Sequence, residues 1–365
     1  MNGKLFTIIL FLAALCLPLV AGQGNSILVD PDATPETVAL YRYLHSVGGD
    51  KVMFGHHHTT CYGIGWDGGD PDRSDVKSLT GSHAAVYGWD LGHTGTDRMD
   101  KLIIAAHKNG GINTISWHMG QLSGKGGYKA GPKDAVKQAL PGGKYHRALK
   151  RELDRFVRFN KKLKDGNGNL IPIIFRPWHE HTGGWFWWGS TSGTEDEFVA
   201  LWKFTVHYLR DVKKVHNLIY AYSPSGRHVQ STREYETNRF PGYDYMDVLG
   251  VDAYVGKGQD ELDYIVNACA IVSRLAEENG KVAALTEFGF RNGLTKCPNP
   301  NWYMDFLETL KSKPDATGIV WALTWRNHDK EHFWVPYKGQ QNEEDFKRFF
   351  ADPMTVFEDD LPDLY

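Results

Sequence analysis

Ile171-Pro172-Ile173-Ile174-Phe175-Arg176-Pro177-Trp178-His179-Glu180 runs from a short apolar segment directly into aromatic, basic and acidic side chains. The run is too short for a helix and apolar at successive positions. That is how a parallel strand covered on both faces reads. Seven more runs of this kind occur at 51–56, 84–90, 112–118, 217–222, 248–254, 282–287 and 318–325. Amphipathic helix patterns fall between them. The segment 194–216 opens with Thr194 and Glu197 at capping-box spacing and carries Phe198, Leu201, Trp202, Thr205, Leu209 and Val212 on one stripe. The segment 146–164 places Leu149, Leu153, Phe156, Val157 and Leu163 together. Thr34-Pro35 reads as an N-cap followed by proline at the first helical position. Eight strands alternating with helices predict an α/β fold, a (β/α)8 TIM barrel; a doubly wound sheet is the alternative.

The rest of the chain is consistent with one large domain. The 365 residues are 41% hydrophobic, enough for a sizeable core, and no repeat or linker divides residues 24–365. Lys4, the apolar stretch Leu5 to Val20 and the small residues Ala21-Gly22 predict a secretory signal peptide over 1–22. The expected domains are therefore 1–22, signal, and 23–365, a single catalytic barrel exported from the cell. Without the signal the net charge is −4, which gives no electrostatic case for nucleic acid or an anionic membrane surface. Cys61, Cys269 and Cys297 then remain, and an odd count leaves at least one free thiol. Cys269 falls on the apolar face of a helix pattern and reads as a core thiol. A Cys269–Cys297 bridge stands open.

In barrels of this kind chemistry sits at the C-terminal ends of the strands. Those ends read His56-His57-His58, Trp89-Asp90, Trp117-His118, Trp178-His179-Glu180, Tyr222-Ser223, Asp252-Ala253-Tyr254, Thr286-Glu287 and Trp325-Arg326. Aromatic faces stack on the apolar side of pyranose rings, and carboxylates cleave glycosidic bonds. Glu180 and Glu287 are the two carboxyl groups such a cleft needs, one to protonate the leaving oxygen and one to meet the oxocarbenium-like carbon.

The run Phe175-Arg176-Pro177-Trp178-His179-Glu180-His181-Thr182-Gly183-Gly184-Trp185-Phe186-Trp187-Trp188-Gly189 resembles the acid/base motif of glycoside hydrolase family twenty-six. Thr286-Glu287-Phe288-Gly289 resembles that family's nucleophile motif, and the likeness extends over about residues 27–355. The resemblance implies a retaining enzyme acting on β-1,4-mannan, glucomannan or galactomannan, with no cofactor and no metal. It implies Glu180 as general acid/base, Glu287 as nucleophile, and His179 and Trp185 as sugar contacts at the point of cleavage. It also implies that Tyr254 hydrogen-bonds the nucleophile, that Trp325 with Arg326 forms the platform, and that His118 is the third-strand histidine. Asp90 and Arg176 point to the cleft by strand position alone. Arg326 and Tyr254 are expected to favour the ionised form of Glu287.

Other motifs have simpler readings. His56 and His58 share a strand face, but no Cys or carboxylate nearby has ligand spacing, so sugar contact or a structural role is expected. Asp67-Gly68-Gly69-Asp70-Pro71-Asp72 lacks the EF-hand pattern and reads as a solvated turn. Trp66 beside it is either a distal sugar platform or a packing residue. Lys125, Lys129, Lys133, Lys137 and Lys144 lie in the Gly-rich loop 124–144, within the insert 119–145; it reads as a solvated, mobile insert rather than a polyanion site, and long loops at barrel mouths often shape the cleft. Two alternative functions stand: the same mechanism on β-1,3-xylan or mixed-linkage β-glucan, or a non-catalytic mannan-binding barrel. A monomer is the default for a secreted enzyme on polymer substrates.

Overall fold

A computed structural model describes residues 28–92, 96–256 and 260–364. The segment 1–22, read as an export signal, lies outside them. Strands β1 Val52–His57, β2 Val86–Asp90, β3 Ile112–Ser116, β4 Ile173–Arg176, β5 Leu218–Tyr222, β6 Val248–Val255, β7 Val282–Phe290 and β8 Ile319–Thr324 follow one another around the sheet. Each pairs in parallel with the next. β8 returns to β1 through Met53 opposite Trp321 and Phe54 opposite Ala322. That last pairing closes a barrel and rules out the open, doubly wound sheet. A two-residue strand, β9 Thr355–Val356, pairs with Val52 and Met53 at the start of β1 and was not foreseen.

Every residue of β1 to β5 is buried, as their apolar runs require. One apolar cluster takes a residue from each of the eight strands, among them Met53, Ile112, Ile174, Ile219, Val248, Val282 and Trp321, together with Leu40, Tyr41 and Leu44. Residues from eight different strands meet only inside the barrel. The helix Pro35–Ser46, started by Thr34 as predicted, therefore packs against the residues that fill its interior. A larger cluster fills the layer between strands and outer helices.

The helix read at 194–216 is α-helical over Glu195–His207 and then widens into a π-helical turn over Tyr208–Val212. Its start is as read: Thr194 Oγ1 accepts from Glu197 N at 3.2 Å and Glu197 Oε2 accepts from Thr194 N at 2.9 Å. Thr194→Ala should cost about 1 kcal/mol, read as a lower urea midpoint at unchanged slope. The second pattern forms His146–Asn160. Cys61, Cys269 and Cys297 are all buried free thiols, so the Cys269–Cys297 bridge is not formed. Among the described residues no helix is long and apolar enough to cross a membrane.

Candidate active site

The chain leaves β4 through a strained turn. Trp178 and Glu180 both occupy the left-handed region, at φ 55° and 51°. Side chains disfavour this conformation, at a cost of order 1–3 kcal/mol per residue, so surrounding bonds must enforce it. They do: Glu180 N donates to Ser223 O at 2.8 Å, Trp178 Nε1 to Thr205 Oγ1 at 3.0 Å, and Trp188 Nε1 to His179 O at 2.8 Å. The turn aims Glu180 into a cleft of about 500 Å³ at the C-terminal mouth of the barrel. Of the tryptophans in this run, Trp178, Trp187 and Trp188 are core residues, whereas Trp185 is 42% exposed. Its indole Nε1 donates to Glu180 Oε2 at 2.7 Å.

Glu287 reaches the same cleft by a different device. Val251 pairs with Leu285 and Asp252 with Glu287, so Thr286 is an extra residue in β7. Such a bulge re-aims the side chain that follows it. Thr286 Oγ1 satisfies the distorted segment by donating to Val251 O at 3.0 Å and lying 2.6 Å from Asp252 Oδ1. Glu287 then sits between two donors. Tyr254 OH donates to Oε2 at 2.9 Å, and Arg176 Nη2 to Oε1. The other arm of Arg176 donates to Asp252 Oδ2 at 2.8 Å, and Ser223 Oγ holds the same oxygen at 3.1 Å.

Three carboxyl groups and one guanidinium thus lie close together at the floor of the cleft. Burial raises the pKa of Glu180 well above the usual carboxylate range, and the charges of Asp252 and Glu287 push it further. Asp252 is pushed up to about 7, chiefly by burial and then by Glu287, against the pull of Arg176. Glu287 accepts from a guanidinium and a phenol hydroxyl, whereas Glu180 has the indole N–H and two carboxyl neighbours.

Of the ten residues expected at the site, His118, Glu180, Trp185, Tyr254, Glu287, Trp325 and Arg326 line the cleft. Three lie one layer behind it. Arg176 is buried and reaches Glu287 from beneath. His179 is buried, its Nε2 3.3 Å from His118 Nε2. Asp90 is fully buried and holds His118 Nδ1. Arg326 does not hold Glu287. Its Nη1 donates to Tyr62 OH at 2.9 Å, and the buried Arg176 takes the role expected of it.

The cleft also contains residues not among those expected at the site. Asp252, read at a strand end but given no role, shares a face of β6 with Tyr254, two residues on. Phe186 lies in the tryptophan-rich run. Tyr128 comes from the insert 119–145, which is not a free loop. Ala130 N donates to Trp185 O at 2.7 Å, Val136 is buried, and the ring of Tyr128 meets that of His118 at 4.9 Å. The insert's lysines are exposed, as expected, while Tyr128 lines the cleft.

The remaining motifs settle into structural roles. His56 Nδ1 pairs with Thr59 Oγ1 at 2.9 Å and His58 Nδ1 with Cys61 Sγ at 3.6 Å, so the two do not converge on a common point. Trp66 Nε1 donates to Asp75 Oδ1 at 3.0 Å, Arg73 lies over its ring, and it does not line the cleft. Among the described residues one group has metal-ligand spacing, Asp30, Asp32 and His216, and it too is absent from the cleft lining. There His216 Nδ1 pairs with Asp30 Oδ2 at 2.8 Å.

Residues 29–312 match the model of Glycosyl hydrolase family 26. The chain is similar to a mannan endo-1,4-beta-mannosidase of Bifidobacterium adolescentis, 34% identical over 360 residues. That match covers 90% of this chain but 35% of the relative, so the chain spans about a third of that protein's length. It is 29% identical over 276 residues to the mannan endo-1,4-beta-mannosidase of Bacillus subtilis strain 168, covering 69% of this chain and 68% of the relative. Among solved structures it is similar to a modular endo-beta-1,4-mannanase from Cellulomonas fimi, with TM-score 0.88 and 36% identity over 92% of this chain and 78% of that one. A family 26 beta-mannanase from Bacteroides ovatus superposes with TM-score 0.83 at 34% identity, over 91% of this chain and 97% of that one.

Proposed function

The chain belongs to glycosyl hydrolase family 26, and on that footing we propose that it is a retaining endo-β-1,4-mannanase. Its substrate is mannan, glucomannan or galactomannan, and it cuts by double displacement. Glu287 attacks the anomeric carbon while neutral Glu180 gives its proton to the leaving oxygen. The carbon–oxygen bond to the leaving sugar breaks as the bond to Glu287 forms. Glu180, now a carboxylate, takes a proton from water, whose oxygen displaces Glu287 and returns the site to its starting state. Tyr254 and Arg176 hold the nucleophile, Trp185 orients the acid/base, and Trp325 and His118 form the walls around the cleaved sugar. Arg326, bonded to Tyr62, is the polar neighbour of Trp325 in the cleft lining.

One observation carries this reading: Glu180 and Glu287 line one aromatic cleft with Asp252, and of the three carboxyl groups only Glu287 accepts from both a buried arginine and a tyrosine hydroxyl. The reading of residues 1–22 adds export from the cell, and the acidic net charge argues against a nucleic-acid partner. A reducing-sugar assay on a panel of β-mannan, lichenan and β-1,3-xylan tests the substrate. Release from β-mannan at least about tenfold faster than from the others is expected, a gap of roughly 1.4 kcal/mol in barrier. Equal or greater release from either of the others would move the substrate assignment. Mannan binding without release from any of them would make the chain a binding module.

A further inference from the structure

The cleft does not stop at its carboxyl groups. Glu180 follows β4 and Glu287 lies on β7, and β5 and β6 form the arc of the barrel between them. Over that arc the lining continues through Ser225, Arg227 and Tyr264. Trp325 stands on the other arc, just after β8. A sugar chain laid across the mouth with its attacked residue on Trp325 therefore carries its leaving half over β5 and β6.

Tyr264 reaches this arc from the helix Asp260–Asn279, which follows β6. Gly226 leaves the space for it, since a Cβ there would lie 2.7 Å from the Tyr264 hydroxyl. Burial raises the pKa of the phenol; Arg227 opposes the rise and Glu180 adds to it, so both charges lie within reach of the ring. Among the described residues the hydroxyl has no hydrogen-bond partner, and the exposed Arg227 has no ion pair. Both are left with hydrogen-bonding capacity toward the cleft. Tyr264 also lines a second hollow of about 480 Å³, the residue that the two cavities have in common. Val229, Ala270 and Ile271 give the hollow an apolar surface. Its polar groups are Gln230, Asp263 and Asn267. Gln230 Nε2 rests on Arg227 O at 3.4 Å, which leaves Oε1 as an acceptor. Asn267 Oδ1 accepts from Lys313 Nζ at 2.8 Å, which leaves its NH2 as a donor. Lys313 also meets the Asp263 carboxylate at 3.4 Å, so the charge there is balanced. An apolar patch with a few neutral or balanced polar groups suits an uncharged sugar, which offers both kinds of surface.

We infer that this hollow is a remote subsite for the leaving half of the chain. Tyr264 and Arg227 carry the chain past Glu180, and Gln230, Asp263 and Asn267 bind a mannosyl residue beyond them. The inference rests on the proposed hydrolysis, because it takes Glu180 to protonate the leaving oxygen. Contacts this far from the reacting carbon still act on the reaction. Their binding energy offsets the cost of distorting and orienting the sugar at the point of cleavage, so a substrate too short to reach them loses kcat/KM.

Mannohexaose hydrolysed in oxygen-18 water tests the subsite. The label enters only the new reducing end, so mass spectrometry of the products tells which fragment lay on the leaving side. Tyr264→Ala and Gln230→Ala should both shift the cuts toward shorter leaving fragments. Each should also lose about three- to tenfold more kcat/KM on mannohexaose than on an aryl mannoside, the worth of a typical hydrogen bond. An unchanged pattern of cuts, or an equal loss on the two substrates, would overturn the inference. Gln230 is exposed, so Gln230→Ala decides the matter even if Tyr264→Ala does not fold. The hydrolase assignment can stand while the subsite fails. A substrate panel that favours another β-glycan would change the oligosaccharide series and leave the subsite in place. Release from none of the polymers would end both, since no leaving half would exist.

Discussion

Glu287→Gln should lower kcat on β-mannan by about four orders of magnitude, roughly 5.5 kcal/mol of barrier. The amide has nearly the volume of the carboxyl group; its oxygen can accept from Arg176 while its nitrogen donates to a reoriented Tyr254 hydroxyl, so the fold should survive. What it lacks is the negative charge and the free lone pair that bond to the anomeric carbon. Arg176 would keep its bond to Asp252 at 2.8 Å, which prevents the variant from leaving a buried cation wholly unpaired. The loss should therefore appear in kcat, with the melting temperature within a few degrees of wild type. Turnover within about tenfold of wild type in a folded variant would remove Glu287 from the chemistry.

Glu180→Gln should cost about three orders of magnitude on the polysaccharide, or roughly 4 kcal/mol. The effect should depend on the leaving group. A sugar alkoxide needs the proton; a dinitrophenolate does not. On an activated aryl mannoside the first half-reaction should proceed nearly unimpaired, and the slow second half should leave a burst of phenolate. The pH profile should change with it. The wild-type protein holds Glu180 protonated well above the ordinary carboxylate range, because burial and two neighbouring carboxyl groups oppose its ionisation. Activity is then kept as pH rises past that range and is lost only when Glu180 at last ionises. In Glu180→Gln the basic limb of kcat/KM should flatten. An unchanged basic limb would assign it to another group, and Asp252, held up to about 7, is the nearest one.

The barrel was legible because eight apolar runs alternate with helical stripes, and a strand covered on both faces can be built from little else. The capping box at Thr194 and the helix start at Thr34-Pro35 were legible for a similar local reason. Both are short-range hydrogen-bond arrangements whose partners lie within three residues. Glu180 and Glu287 were found from their place at strand ends and from the motifs around them. What stayed hidden was everything set by contacts across the barrel. Arg326 looked like the cation for Glu287 because both end strands; the shorter path runs from Arg176, three strands away, beneath the floor of the cleft. Asp90 and His179 looked like sugar contacts, yet each is one layer back. A strand end gives a direction but no depth. The bulge at Thr286 left no local mark either, since it exists only in the register of β7 against β6. The loop 124–144 was read as a solvated insert because its lysines dominate its composition, and its lysines are exposed; its backbone is nevertheless tied down. Tyr128 and Val136, which tie it to the cleft wall, are two residues among many polar ones.

The central claim is that Glu287 becomes covalently bonded to the sugar. An activated 2-deoxy-2-fluoro mannoside traps such an intermediate, because fluorine beside the anomeric carbon slows its hydrolysis more than its formation. Mass spectrometry of the labelled protein, followed by peptide mapping, should find one fluorosugar per chain, bonded to the Glu287 side chain. A label on Glu180 or on Asp252, or inactivation with no added mass, would contradict the account.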